Sequence, residues 1–405
     1  MENRLQQLHR RLCSCAVFRG VLSHPVFSLF GEYCKQDTKM GKVDAYAQFV
    51  AEIYSHGGSL TERVKEVVLA DENVYIKACA EGASVADCIK ASLERELNIL
   101  SDFAALTRMD FAAEVDCAEE ELPDFSSFNA YLPLLYEERL RNIRQHGYGI
   151  FSTKCMFRFT DEKRLEAISS ADKIRMSHFV GYEEEREKVV ANTRAFIEGR
   201  PAANVLLCGD AGAGKSSTVK AIANEFFRDG VRLIELRKDQ LRFLPEVMGR
   251  INGNPLKFII FIDDLSFNQN DDNFSMLKAA LEGSASAMAD NALIYATSNR
   301  RHIIKESFGD REGDDVHRND TLQETLSLSE RFGLTVLFSK PNKALYLTIV
   351  KELARRFEVE MEEKELEVQA EAFALRKGSR SARCAEQFVN SLLSGGRYDH
   401  VRRRI

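Results

Sequence analysis

Eight consecutive residues near the middle of the chain could do phosphate chemistry. The run Gly209-Asp210-Ala211-Gly212-Ala213-Gly214-Lys215-Ser216 fits the pattern G-x-x-x-x-G-K-[ST]. Its glycines allow backbone conformations that turn consecutive N–H groups toward one point. Those groups, with the first turn of a following helix, make a cradle for phosphate oxygens. Lys215 would reach the β- and γ-phosphates, and Ser216 would set its hydroxyl on Mg²⁺. The expected nucleotide contacts run from Gly209 through Lys215, Ser216 and Ser217. In a glycine-rich loop the pattern can arise by chance. Here an apolar strand precedes it and a helical segment follows, which is the context a phosphate loop requires. The ligand implied is ATP with Mg²⁺.

Two further stretches could complete that chemistry. Phe258-Ile259-Ile260-Phe261-Ile262-Asp263-Asp264 ends an apolar run on two carboxylates. Asp263 could hold Mg²⁺ through its water shell, and Asp264 could orient and deprotonate an attacking water. The bland alternative is a pair of helix-capping aspartates before Leu265. Tyr295-Ala296-Thr297-Ser298-Asn299 places a polar side chain at another strand tip. Asn299 could position the same water, and an Asx turn closing the strand is the alternative.

The elements that must carry these residues alternate. Apolar runs at 205–208, 231–236, 258–262, 292–296 and 334–338 predict five strands. Helical segments at 215–227 and 276–281 separate them. Strands divided by helices predict a parallel three-layer α/β sheet with right-handed crossovers. After Pro341 the strands stop, and 345–357, 364–375 and 381–393 read as helices. Residues 1–145 read as helical. The segments 43–54 and 85–106 have apolar positions at helical spacing, and Ser59 and Ser84 are candidate caps. Nothing in that region carries recognisable chemistry, so scaffold or partner-binding helices are expected. The charged stretch 309–320 reads as a mobile surface loop. Arg402-Arg403-Arg404 reads as a solvated tail rather than a nucleic-acid contact.

Composition excludes little. Apolar residues make up 44% and charged residues 29%, a soluble globular balance, and the net charge is −6. That charge offers no whole-protein basic signature for nucleic acid. Nine cysteines are scattered without a paired CxxC frame, and read as reduced thiols. No apolar run approaches the ~20 residues needed to cross a bilayer. The first residues lack the apolar core of a signal peptide. A cytoplasmic location is the expectation.

Together these residues resemble the AAA+ ATPases over about 178–394. Phe179-Val180-Gly181-Tyr182 resembles the segment that lies near the adenine, which implies nucleotide contacts at Val180 and Gly181. The glycine-rich run resembles Walker A, and 258–264 resembles Walker B. Asn299 matches sensor 1. Ser329-Glu330-Arg331-Phe332 matches the segment with the arginine finger, and Gly378-Ser379-Arg380-Ser381-Ala382-Arg383 matches sensor 2. The strings at 261–267, 281–284 and 295–302 are similar to the predicted ATPases of the domain-of-unknown-function 815 family. The resemblance implies a P-loop NTPase fold of the AAA+ kind. Its parts would be a mainly helical N-terminal domain (1–145), a linker (146–177), an α/β nucleotide-binding core (178–340), a helical lid (341–396) and a basic tail (397–405).

Several roles follow from the resemblance. Arg331 would act in trans from a neighbouring subunit, which implies a homo-oligomer; the alternative is a surface salt bridge. Arg380 and Arg383 are three residues apart, one turn of the same helix, so both could face the nucleotide, with Arg383 favoured by alignment of the helix. The sequence departs from the family at Walker B, where Asp263-Asp264 replaces Asp-Glu. Misplacing a base by ~1 Å can cost on the order of 10²-fold in rate. Slow hydrolysis is therefore the rival expectation, which would make the chain an ATP-gated switch. Phe243 falls where some unfoldases grip substrate, although Leu241, Phe243 and Leu244 more often mean packing. The expected activity is ATP hydrolysis that remodels a macromolecule. A protein client is favoured over nucleic acid, and a nucleic-acid loader is the alternative.

Overall fold

The computed structural model describes residues 3–115, 118–169, 173–265, 272–281, 289–299 and 331–394. The expected loop at 309–320, the basic tail, Ser329, Glu330 and the matching strings beyond Leu265, Leu281 and Asn299 lie outside the described residues. The chain divides into two compact units: residues 1–153 with 253–256, and residues 154–252 with 257–405.

The first unit is helical, as its periodicity predicts. It comprises α1 (Arg4–Cys13), α2 (Pro25–Cys34), α3 (Lys39–Tyr54), α4 (Leu60–Ala70), α5 (Val74–Ala80), α6 (Asp87–Ala104), α7 (Arg108–Val115), α8 (Leu132–Arg141) and α9 (Ile143–His146). In α1, Leu5, Leu8 and Leu12 fall on one face and are buried. In α3, Tyr46, Phe49, Val50 and Ile53 do the same. Phe30, Phe49, Phe103 and Phe111 meet at the centre, with Phe30 and Phe103 ring centroids 5.0 Å apart. Ser59 caps α4 by accepting the Glu62 N–H at 3.3 Å. Ser84 does not cap α6. That helix starts three residues later, behind Ala86, and Asp87 supplies the acidic first turn.

The second unit is built on a seven-stranded sheet in the order β2-β1-β4-β5-β6-β3-β7. Its strands are β1 (Met156–Phe159), β2 (Leu165–Ala167), β3 (Val205–Gly209), β4 (Val231–Glu235), β5 (Lys257–Ile262), β6 (Ala292–Ser298) and β7 (Leu334–Phe338). Only the β1–β2 pair is antiparallel. Two strands more than the five expected are present, because residues 146–177 are not a linker throughout. β1 pairs with β4 in parallel and β2 folds back on β1. These strands are four and three residues long, too short to show a period.

The inner strands are buried on both faces, which explains their unbroken apolar runs. Leu207, Ile259, Phe261 and Tyr295 pack with Val189 and Phe196 of α10 (Glu183–Ile197), and with Val219 and Ile222 of α11 (Lys215–Glu225). Leu206, Ile260 and Ile294, on the alternate positions, are equally buried. The unit also contains α12 (Leu244–Ile251) and α13 (Asp272–Leu281).

Three helices follow β7: α14 (Lys343–Arg356), α15 (Glu363–Lys377) and α16 (Ala382–Leu393). Asn342 caps α14, accepting the Leu345 N–H at 2.8 Å, and Ser381 caps α16, accepting the Cys384 N–H at 3.1 Å. Gly378, at φ 69°, ends α15 in the left-handed conformation that glycine adopts without strain. Tyr346, Phe373, Phe388 and Val389 form their common core. This is the α/β, P-loop NTPase architecture with a C-terminal helical lid and a helical N-terminal region that the resemblance implies.

Candidate nucleotide-binding site

Parallel register brings the chemical residues to one edge of the sheet. Cys208 of β3 is level with Ser298 of β6, Gly209 with Phe338 of β7, and Ile262 of β5 with Ala296 of β6. The residues just beyond these strands therefore converge at their carboxyl ends, where open α/β sheets form ligand crevices. Gly209 has φ 136°, and a Cβ there would lie 2.0 Å from the Phe338 carbonyl oxygen. Only glycine fits that close approach. Gly212 and Gly214 also have positive φ, and the loop runs straight into α11.

Lys215 is 5% exposed. Its ammonium donates to the carbonyl oxygens of Gly209 at 2.9 Å and Asp210 at 2.8 Å, and to Asn299 Oδ1 at 2.9 Å. Burial lowers its pKa, while Asp210, Asp263 and Asp264 oppose that shift. Asn299 donates through Nδ2 to Asp264 Oδ1 at 2.7 Å, so its amide joins Lys215 to Asp264.

Asp263 Oδ1 accepts from Ser216 Oγ at 2.6 Å, from Thr297 Oγ1 at 2.5 Å and from the Asp264 N–H at 3.1 Å. Thr297 Oγ1 in turn accepts the Asp264 N–H at 2.9 Å. Asp264 sits at φ 52°, a left-handed conformation uncommon outside glycine but tolerated by aspartate. Most of the N–H groups that helix-capping aspartates would engage, from residue 266 on, lie outside the described residues. Thr297 has no expected role in the sequence. Its signal is positional: it lies on β6 one residue past the partner of Ile262, hence opposite Asp263.

Two adjoining cavities meet at the loop. The smaller, about 250 Å³, is bounded by Lys215, Ser216, Asp263, Asp264 and Asn299. The larger, about 680 Å³, is bounded by Phe179, Val180, Arg186, Ile349 and Leu353, which suits an apolar base-sized group. Gly212, Gly214, Ser217 and Arg383 border both. The donor set fits a metal–polyphosphate group: buried ammonium and glycine loop for phosphates, Ser216 hydroxyl and Asp263 carboxylate for a hard cation.

The other expected residues separate. Ala211 borders the smaller cavity and Ala213 the larger. Gly181 borders neither; it makes the turn before α10, and a Cβ there would meet Leu345 Cδ1 at 2.6 Å. Arg383 is joined to the loop, its N–H donating to the Gly212 carbonyl at 3.2 Å. Arg380 is not a turn of the same helix. It precedes the cap of α16 and forks onto Glu371 of α15, Nε to Oε1 at 3.0 Å and Nη2 to Oε2 at 2.9 Å. Its expected nucleotide contact is thus corrected to a pair within the lid. Phe243 packs on Phe159, with ring centroids 5.8 Å apart, which favours packing over a substrate grip. Arg331 borders neither cavity.

Sequence reasoning also missed Arg186 and Arg356. Arg356 donates to the carbonyls of His178 at 2.8 Å and Ser177 at 3.1 Å, tying α14 to the segment beside the larger cavity. Arg186 is 6% exposed and lies over the Phe179 ring at 4.2 Å. Desolvation pulls its pKa down to about 10. Neither arginine falls within a motif, so only tertiary packing reveals them.

No curated protein matches the chain. Among solved structures, it is similar to a point mutant of Thermotoga maritima RuvB, with 16% identity and a TM-score of 0.38, over 54% of this chain and 64% of that one. It is also similar to the Thermotoga maritima RuvB Holliday junction branch migration motor, with 14% identity and a TM-score of 0.34, over 55% of this chain and 72% of that one. The family described as protein of unknown function (DUF815) matches residues 152–396, the stretch that holds the sheet, the phosphate loop and the lid; the chain belongs to that family.

Proposed function

We propose that the chain binds Mg-ATP at 209–217 and hydrolyses it to drive conformational change in a macromolecular partner. The observation that carries this reading is the hydrogen-bonded series Lys215–Asn299–Asp264 beside Ser216–Asp263–Thr297. It puts a phosphate-binding cation, a candidate base and a candidate metal ligand pair around one small cavity. Lys215 and the loop N–H groups would bind the phosphates. Ser216 and Asp263 would hold Mg²⁺, which when bound neutralises charge on the phosphate oxygens. Asp264, oriented by Asn299, would take the proton of the attacking water. Arg383 would report the nucleotide to the lid.

Arg331 supports a role in trans through strand direction. It lies before the amino end of β7, whereas Gly209 is level with Phe338 at the carboxyl end. The four steps of ~3.3 Å from Leu334 to Phe338 put about 13 Å between those ends. Arg331 would therefore serve a neighbour's site, in a head-to-tail assembly of copies of this chain. The acidic net charge supports a protein client over nucleic acid.

The test measures nucleotide binding and phosphate release with purified full-length protein. Lys215→Ala is expected to lose binding. Asp264→Asn is expected to keep binding and to slow single-turnover hydrolysis by on the order of 10²-fold or more. Equal hydrolysis in wild type and Asp264→Asn would instead favour the second reading, an ATP-gated switch with rare turnover. The short Asp264 side chain, held by Asn299, is what motivates that alternative.

A further inference from the structure

Arg186 presents a cation that the protein itself leaves partly unused. It projects from the first turn of α10 and is nearly inaccessible to solvent. Its Nε donates to Thr218 Oγ1 at 3.3 Å, and Nη1 donates to the Gly181 carbonyl. Among the described residues Nη2 has no hydrogen-bond acceptor, and no carboxylate lies within ion-pair distance of the guanidinium. Glu183 is close, but its Oε1 accepts the Gly181 N–H at 2.7 Å. A buried charge without a counter-charge is costly, and such groups are usually paired or bound to a ligand.

The direction of Nη2 indicates the ligand. A Cβ on Gly214 would lie 3.5 Å from it, so the group reaches the phosphate loop itself. Arg186 borders the larger cavity with Gly214 and Ser217 and is absent from the border of the smaller one, where Lys215 and Asp263 lie. Gly214 and Ser217 border both cavities. A nucleotide with its base in the larger and its terminal phosphates in the smaller would pass its α-phosphate across that junction.

We propose that Arg186 is a ligand-contacting residue of this site, whose Nη2 takes an α-phosphate oxygen of the nucleotide. This rests on the reading of 209–217 as the nucleotide loop. The charge of Arg186 then holds ADP and ATP alike, independently of the γ-phosphate. Phe179, stacked on the guanidinium, and Thr218, bonded to Nε, fix its plane.

The experiment is displacement of a fluorescent ADP analogue from the full chain by ADP, ATP and adenosine. Arg186→Gln is expected to weaken ADP and ATP by the same factor, about 10–100-fold for a lost charged hydrogen bond. Adenosine, which has no phosphate, keeps its affinity. Arg186→Lys retains charge without the planar fork and falls between. Unchanged ADP affinity in Arg186→Gln overturns the proposal. So does an equal loss for ADP and adenosine, because Arg186 would then only brace the wall through Thr218 and Gly181. Should Arg186→Gln not fold, Arg186→Lys is judged by the same contrast. Wild-type protein that binds none of the three overturns the nucleotide reading and this proposal with it, whereas binding wild type with an unaltered variant overturns this proposal alone.

Discussion

At the scale of single residues, the site depends on a few side chains and one missing Cβ. Lys215 uses its three ammonium donors on Gly209, Asp210 and Asn299, so its position is set before any phosphate is considered. Of the three glycines in the loop, Gly209 leaves the least room for a Cβ. Gly209→Ala would force a Cβ onto the Phe338 carbonyl in a backbone conformation that alanine avoids. The expected cost is at least about 2–3 kcal/mol, read as a lower denaturation midpoint of the sheet unit. Gly214→Ala should fold better than Gly209→Ala, because the nearest atom to its added Cβ is 3.5 Å away, although its φ of 89° still strains alanine.

At the scale of elements, the lid separates two arginines that look equivalent in the sequence. Arg380 pairs with Glu371 of α15, while Arg383 of α16 lies against the glycine-rich loop. Arg383→Ala is expected to weaken nucleotide binding with little loss of thermal stability. Arg380→Ala is expected to do the reverse, and its effect should depend on pH. The hydrogen bond from Arg380 lowers the pKa of Glu371 below its ordinary 4.5. A depressed carboxylate stabilises the fold above the unfolded pKa and loses that contribution as pH falls through the folded one. The difference between wild type and Arg380→Ala should therefore be present at neutral pH and vanish under acid. Arg380 is about a third exposed, so salt should also shrink it. Thermal melts across pH and ionic strength check both signs.

At the scale of the whole molecule, each unit has its own hydrophobic core, one around Phe30 and Phe103 and the other around the sheet. No described helix is long and apolar enough to cross a membrane. The proposed assembly turns on Arg331, which strand direction puts at the opposite end of β7 from its own phosphate loop. If it completes a neighbour's site, ATPase activity per chain should rise with protein concentration. Arg331→Ala should lower turnover by ~10³-fold or more. Mixing it with Lys215→Ala should recover activity at mixed interfaces, where an intact finger meets an intact loop. Wild-type rates from a strictly monomeric Arg331→Ala protein would remove the trans role.

What the sequence determined by itself was chain-local. The run 209–216 is contiguous, and Gly209, Gly214, Lys215 and Ser216 fall at the spacing the pattern needs, so Lys215 and Ser216 are legible without a fold. The inner strands are legible because burial on both faces demands unbroken apolar runs such as 258–262. β1 and β2 were not, because strands of four and three residues have no period and gain their place only by pairing with β4 and with each other. Register, not spacing along the chain, put Thr297 against Asp263. The start of α16 at Ala382 separates Arg380, bonded to Glu371, from Arg383, whose backbone N–H meets the Gly212 carbonyl. Arg186 emerged only from packing, because burial without an ion-pair partner is a property of its neighbours in space. Local chemistry is written in local sequence, whereas partners that lie far apart along the chain are chosen by the fold.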